Sequence, residues 1–185
     1  MKLDAGGWVS GVRQIASPNH DRRSPGAAAD LLVIHNISLP PGEFGGDAII
    51  QLFTNTLDTT LHPYYAQLQG MKVSAHFLIR RDGEIIQFVA CGKRAWHAGV
   101  SSWRGRERCN DFSIGIELEG DDFQPFAELQ YAALARLTRK LCRKYPISSI
   151  AGHSDIAPQR KTDPGPHFDW HHYFSLIGRN FFRPE

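Results

Sequence analysis

Two strand-like runs, LLVIHN at 31–36 and FSIGIELEG at 112–120, constrain this chain more than any other feature. The first is short, continuous, apolar and β-branched, and Pro40-Pro41-Gly42 soon follows, the pattern of a strand buried on both faces. In the second, Phe112, Ile114, Ile116 and Leu118 alternate with Ser113, Gly115, Glu117 and Glu119, which predicts a strand with one greasy face and an opposite face that is small near Gly115. A helix from about 126 to 145 follows. It places Leu134, Leu137 and Leu141 on one stripe and crowds Arg136, Arg139, Lys140, Arg143 and Lys144 into its C-terminal half, where the macrodipole favours cations, before Pro146 ends it. Ile49, Ile50 and Phe53 predict a shorter helix over 47–56, and Asp82-Gly83 between two β-rich runs predicts a hairpin within 74–89. Strand, helix and strand recur through about residue 151, so the fold class is α/β: a single domain with a central mixed β-sheet flanked by helices.

With 185 residues, the chain is long enough for one domain that buries roughly 70% of its unfolded surface without stapling, here 1–185 with 1–30 as an irregular N-terminal arm. Hydrophobic residues at 42%, charged residues at 22% and a net charge of +2 exclude disorder or coiled coil for the whole chain. No run approaches the roughly 18 apolar residues of a membrane span, and the first residues lack the apolar core of a signal peptide. Cys91, Cys109 and Cys142 form no C-x-x-C pair and read as reduced thiols. The expectation is a cytoplasmic protein with no membrane partner.

Two stretches, 90–111 and 152–170, are long, irregular and rich in Gly, Pro, Trp, His and Arg, and loops of that length in a compact domain usually carry function. Nine histidines invite a metal hypothesis. His35 closes a strand, His153 opens the second loop and Asp163 lies beyond it, and two imidazoles with one carboxylate make a catalytic zinc set that leaves a fourth position for water. Spacing alone leaves the alternative that His35 is a satisfied core histidine and Asp163 caps the Asp163-Pro164-Gly165 turn. Lys161, two residues before Asp163, projects to the same side in an extended segment and could stabilise an oxyanion; equally, it could be a solvated lysine. A carboxylate on the small face of the 112–120 strand, where Ser113 and Gly115 leave room for a ligand to approach, could take a proton from an activated water; the alternative is the ordinary polar face of a half-buried strand, and alternation does not choose between Glu117 and Glu119.

The stretches VIHNISLPPGEFGG (33–46), SAHFLIRRDGEI (74–85), KRAWHAGVSSWRGRERCNDFSIGIELEG (93–120) and GHSDIAPQRKTDPGPHFDW (152–170) closely resemble the AmpD branch of zinc-dependent N-acetylmuramoyl-L-alanine amidases, within the peptidoglycan recognition protein superfamily. The likeness runs in order from about residue 5 to about residue 175. It implies one zinc ion held by His35, His153 and Asp163, with Glu117 in place of Glu119 as the base and Lys161 as the oxyanion-stabilising group. It implies hydrolysis of the amide joining the lactyl group of 1,6-anhydro-N-acetylmuramic acid to L-alanine, in cytosolic peptidoglycan recycling. By the same resemblance, loss of this activity would raise fragments that signal β-lactamase induction.

The resemblance also makes Trp96, His97 and Arg108 substrate contacts, with Asn36 close by as the neighbour of His35. Lys72 stands where relatives carry arginine, so a fork becomes a point charge at a substrate-facing position. Ser154 replaces a cysteine beside His153 and joins the expected contacts. From Lys72 to Arg108, eight Lys or Arg face three Asp or Glu, a net +5 that suits a peptide with several carboxylates. His76 reads as a structural hydrogen-bonding histidine, and His171 and His172 as surface or helix-start residues. Rival readings are a non-catalytic sensor of wall fragments, an amidase for intact peptidoglycan, a nucleic-acid protein built on WRGRER and a cysteine hydrolase built on Cys109 and His97. A pI near 8.5 without a binding motif argues against nucleic acid. No obligate protein partner is evident.

Overall fold

The computed structural model describes residues 1–178, so the last seven residues of the expected 1–185 domain lie outside the description. A six-stranded sheet is built from β1 (Arg13–Gln14), β3 (Leu31–Ile37), β4 (Phe77–Ile79), β5 (Ile85–Gln87), β9 (Ser113–Glu119) and β10 (Ser149–Gly152), in the order β1-β5-β4-β9-β3-β10. Only the β4–β5 pair is antiparallel, so the sheet is mixed, as expected. Two small ribbons accompany it: β2 (His20–Arg22) with β6 (Lys93–Ala95), and β7 (Ser102–Trp103) with β8 (Arg106–Glu107).

The strand periodicities explain the layers. Leu32 and Ile34 of β3 face the same way as Ile114, Ile116 and Leu118 of β9, and onto them pack α2 (Glu128–Lys144) and α4 (Trp170–Ile177). Leu134, Leu137 and Leu141 are fully buried, each stabilising the layer by about 1.5–3 kcal/mol. The Thr138 and Tyr173 hydroxyls, 2.6 Å apart, tie α2 to α4. On the opposite face, α1 (Ala48–Thr54) sets Ile49, Ile50, Leu52 and Phe53 over Leu78 and Ile86. Leu31, Val33 and Ala151 are instead covered by Ala98, Trp103, Cys109, Phe112 and Ile156. Between these two covers the sheet face is open at the C-terminal ends of β3 and β9, where ligands bind in open parallel sheets.

Three expectations need correction. Strand β9 is not half-buried: it lies between β4 and β3, and all seven of its residues are buried, so its polar side is covered by protein except at the open C-terminal end, where Glu117 lies. The arm is not wholly irregular either, because β1 extends the main sheet and β2 pairs with β6. The Gln87 side chain fastens this arm, accepting from Val9 N–H at 2.7 Å and donating to Gly7 O at 2.9 Å. Strands of two or three residues carry no periodicity that a sequence reading could detect. The stretch 90–111 likewise contains β6, β7, β8 and a 3-10 turn at Cys109–Asp111, and 152–170 contains the short helix α3 (His153–Ile156).

The hairpin stands as expected, with Ile79 opposite Ile85. Gly83 takes φ of +84°, and a Cβ there would lie 2.8 Å from the Leu129 carbonyl oxygen of α2, so both turn geometry and close packing demand glycine. Among the described residues, no helix is long and apolar enough to cross a membrane.

Candidate metal centre

Three side chains converge at the open end of the sheet. His35 comes from the end of β3, His153 begins α3 directly after β10, and Asp163 follows in the second long loop, where Ser154 N–H donates to its carbonyl at 2.9 Å. His35 Nδ1 lies 3.0 Å from His153 Nδ1 and 2.9 Å from Asp163 Oδ2, and His153 Nδ1 lies 3.1 Å from the same oxygen. Both histidines are almost fully buried, at 1% and 3% exposure.

The partners of the far ring nitrogens test whether a cation fits. His153 Nε2 meets the Ala98 carbonyl, an acceptor only, at 3.1 Å and Arg160 Nη2, a donor, farther off at 3.4 Å; the shorter contact assigns the proton to that nitrogen and leaves Nδ1 bare. His35 Nε2 lies 2.9 Å from His97 Nδ1, and His97 Nε2 lies 3.1 Å from Ser113 Oγ. When His35 donates to His97 and His97 donates to Ser113, His35 Nδ1 is also bare. Burial lowers the His35 pKa, which keeps its imidazole neutral. For Asp163, burial works to raise the pKa, but the contacts with His153 and His35 outweigh it and hold the carboxyl below its ordinary range. Two lone pairs and a carboxylate oxygen then share one small space, which favours a cation. Two nitrogens and one oxygen leaving a position open are the donor set of a catalytic zinc site, so the residues fit the ion.

Glu117 is the register partner of His35 on the neighbouring strand. Its Oε2 is buried without a hydrogen-bond partner, and burial pushes the carboxyl pKa well above its ordinary value, with Asp163 adding to the shift and Lys161 opposing it. Glu119 differs in kind. Its oxygens accept from Gly45 N–H at 2.7 Å and Arg81 N–H at 3.1 Å, with Arg80 at 3.4 Å, so it is committed to loop anchoring. The structure therefore separates the two glutamates that alternation left equivalent.

A cleft of about 560 Å³ opens over this group. Asn36, Trp96, His97 and Lys161 line it together with the donor triad and Glu117. Arg108 does not: it is exposed, pairs with Asp111 at 3.3 Å and borders a separate hollow beside Ile156 and Pro158. Lys72 borders a small pocket adjoining the cleft, sharing Leu52, Leu68 and Met71 with it. Ser154 lies behind Asp163 and is not among the residues lining the cleft.

The cationic rim also differs from expectation. Arg80, Arg94, Arg106 and Arg108 are engaged by acidic partners, and none of the eight cations between 72 and 108 lines the main cleft. The cations that do so are Arg160 and Lys161 of the second loop.

The small face of β9 serves another purpose than the one read from it. A Cβ at Gly115 would lie 2.5 Å from the His97 ring, so the space left by Gly115 and Ser113 holds His97, not a ligand. His76 is structural as expected, accepting at Nδ1 from Gly115 N–H at 3.0 Å, while His171 and His172 begin α4. Residues that sequence reasoning missed include Asp122, which accepts from Asn36 Nδ2 at 2.7 Å, and Phe123, which is 83% exposed at the cleft rim. The acidic pair Asp121-Asp122, one residue beyond the end of β9, was the available signal.

Comparison with known proteins places the chain in a family. The sequence profile of the N-acetylmuramoyl-L-alanine amidases matches residues 25–166. The 1,6-anhydro-N-acetylmuramyl-L-alanine amidase AmpD of Citrobacter freundii is 56% identical over 179 residues, which cover 96% of this chain and 95% of that protein. A crystal structure of a selenomethionine AmpD derivative superposes with a TM-score of 0.93 at 56% identity, covering 96% of this chain and 99% of that one. The amidase AmiD of Escherichia coli, solved with the substrate anhydro-N-acetylmuramic acid-L-Ala-D-γ-Glu-L-Lys, is 33% identical with a TM-score of 0.60, covering 84% of this chain and 60% of that one. A profile match across most of the chain, near-full-length identity and a shared fold converge on one assignment: this chain belongs to the N-acetylmuramoyl-L-alanine amidase family.

Proposed function

We propose that this chain is a zinc-dependent amidase that hydrolyses the bond between the lactyl group of 1,6-anhydro-N-acetylmuramic acid and L-alanine in muropeptides, in cytoplasmic peptidoglycan recycling. The observation that carries the reading is the convergence of two imidazole nitrogens and a carboxylate oxygen within 3.1 Å, beside a buried glutamate with an unpartnered oxygen. The substrate class rests on the resemblance to AmpD and on the anhydro-muropeptide bound to AmiD. The compartment rests on that resemblance and on Cys91 and Cys109, which are free thiols.

His35, His153 and Asp163 would hold the ion. When bound, zinc supplies Lewis-acid polarisation of the scissile carbonyl and makes water a stronger acid. Glu117 accepts the proton of the attacking water at its free oxygen and returns it to the leaving alanine nitrogen; its burial makes it a stronger base than an exposed carboxylate. Lys161 places positive charge over the oxyanion of the tetrahedral intermediate. Asn36, Trp96 and His97 line the space where the sugar and the first peptide unit would lie, and Lys72 extends it toward the stem peptide. Trp96 offers an aromatic face to a sugar ring. Arg108 and Ser154 remain substrate contacts by resemblance alone.

The test is mass-spectrometric analysis of products from an anhydro-muramoyl tripeptide after chelation and again after zinc is restored. Free anhydro-muramic sugar together with a peptide beginning in L-alanine, formed only with zinc, is the expected result. Intact substrate in the restored sample would refute the assignment and favour a binding role.

A further inference from the structure

Both histidines of the donor triangle are held from behind by consecutive residues of one segment. His35 Nε2 meets the His97 ring at 2.9 Å, and His153 Nε2 donates to the Ala98 carbonyl at 3.1 Å. This segment belongs to no strand or helix, so its backbone must be fixed by side chains. One atom does much of that: the backbone N–H groups of His97 and Ala98 both donate to Asn110 Oδ1, at 3.2 and 2.9 Å.

Asn110 is itself rigidly placed. It sits in the Cys109–Asp111 turn, where Arg23 Nη1 donates to its carbonyl at 3.0 Å and to that of Asp111 at 3.1 Å. Arg94 binds the Asp111 carboxylate at 2.6 Å, and Cys109 N–H donates to Ser101 Oγ at 3.1 Å. From the other side, Arg160 Nη2 donates to the carbonyls of Ala98 and Val100 at 2.9 and 2.8 Å.

We propose that Asn110 is a positioning residue of the metal centre, whose side-chain oxygen pins the His97–Ala98 backbone and thereby aims His35 and His153 together. The proposal rests on the reading of His35, His153 and Asp163 as metal ligands. Its physical basis is that both outer contacts of the imidazoles move with one short segment, so a shift of that segment misdirects two donors at once. Loss of a single outer partner of a metal-bound histidine typically lowers affinity about 10–100-fold.

The experiment is zinc affinity by competition with a chromophoric chelator, measured on the full chain, with thermal unfolding of the zinc-free protein alongside. N110A removes the acceptor and should weaken zinc binding about 10–100-fold. N110D keeps an oxygen at the same place and should restore most of it, a rescue that general loosening of the fold would not produce. A folded N110A with wild-type zinc affinity would overturn the proposal, as would equal weakening in N110D. If the wild-type chain binds no zinc, the ligand set is wrong and the proposal falls with it. Should N110A fail to fold, hydrogen exchange on the wild type decides: zinc should slow the His97 and Ala98 amides by a larger factor than those of α2, and an equal factor would overturn the coupling.

Discussion

Gly115 offers the sharpest test of how the centre is built, because an alanine there adds one methyl group at a place with no room for it. Its Cβ would lie 2.5 Å from Cγ and Nδ1 of His97, where ordinary contact begins at 3.4 Å. The ring would have to retreat by about 0.9 Å. That retreat exceeds the margin between the 2.9 Å contact of His35 with His97 and a separation of about 3.6 Å, at which no hydrogen bond remains. Overpacking of this kind costs about 1–3 kcal/mol of stability, against a gain of about 0.5–1 kcal/mol from replacing glycine within a strand. Misplacement of a catalytic group by about 1 Å lowers turnover about 100-fold. The assay is a double-mutant cycle of G115A with H97A, read by denaturant unfolding and zinc affinity. With the ring removed, alanine at 115 should be neutral or slightly stabilising, giving a coupling of about 1–3 kcal/mol. Equal costs in both backgrounds, or a G115A protein with unchanged zinc affinity and turnover, would refute the packing argument.

The two glutamates of β9 should separate cleanly. E117Q should retain zinc and lose about 10²–10⁴-fold in kcat, since it removes a proton acceptor while keeping shape, and near-normal turnover would end its assignment as base. E119A should lose about 1–3 kcal/mol of stability, because Gly45 and Arg81 N–H lose their acceptor, while its folded fraction binds zinc normally; calorimetry with and without zinc checks this. Replacing Lys161 with methionine should reduce kcat about 10²–10³-fold with little change in KM or zinc affinity, and a change confined to KM would make it a binding residue instead.

The elements most legible in the sequence were those with long periodicity. Strands β3 and β9, helix α2 and the Asp82-Gly83 hairpin follow from apolar spacing and turn chemistry, which are local properties of the chain. His35, His153 and Asp163 could be nominated as a donor set from their residue types and their places at a strand end and in a long loop, and the family resemblance selected them over the structural alternative. What remained hidden was everything decided by contact between distant segments. The rim charge from 72 to 108 is largely neutralised by partners such as Asp21, Asp30 and Glu119, which sequence counting could not assign to it. Glu117 and Glu119 have identical periodicity, and only the loops folded over β9 give one of them three donors and leave the other an unpartnered oxygen. Gly115 looked like room for a ligand because a missing side chain does not say what fills its space. Side-chain type and periodicity are encoded residue by residue, but the environment that sets a group's charge, partners and access exists only once remote segments have packed together.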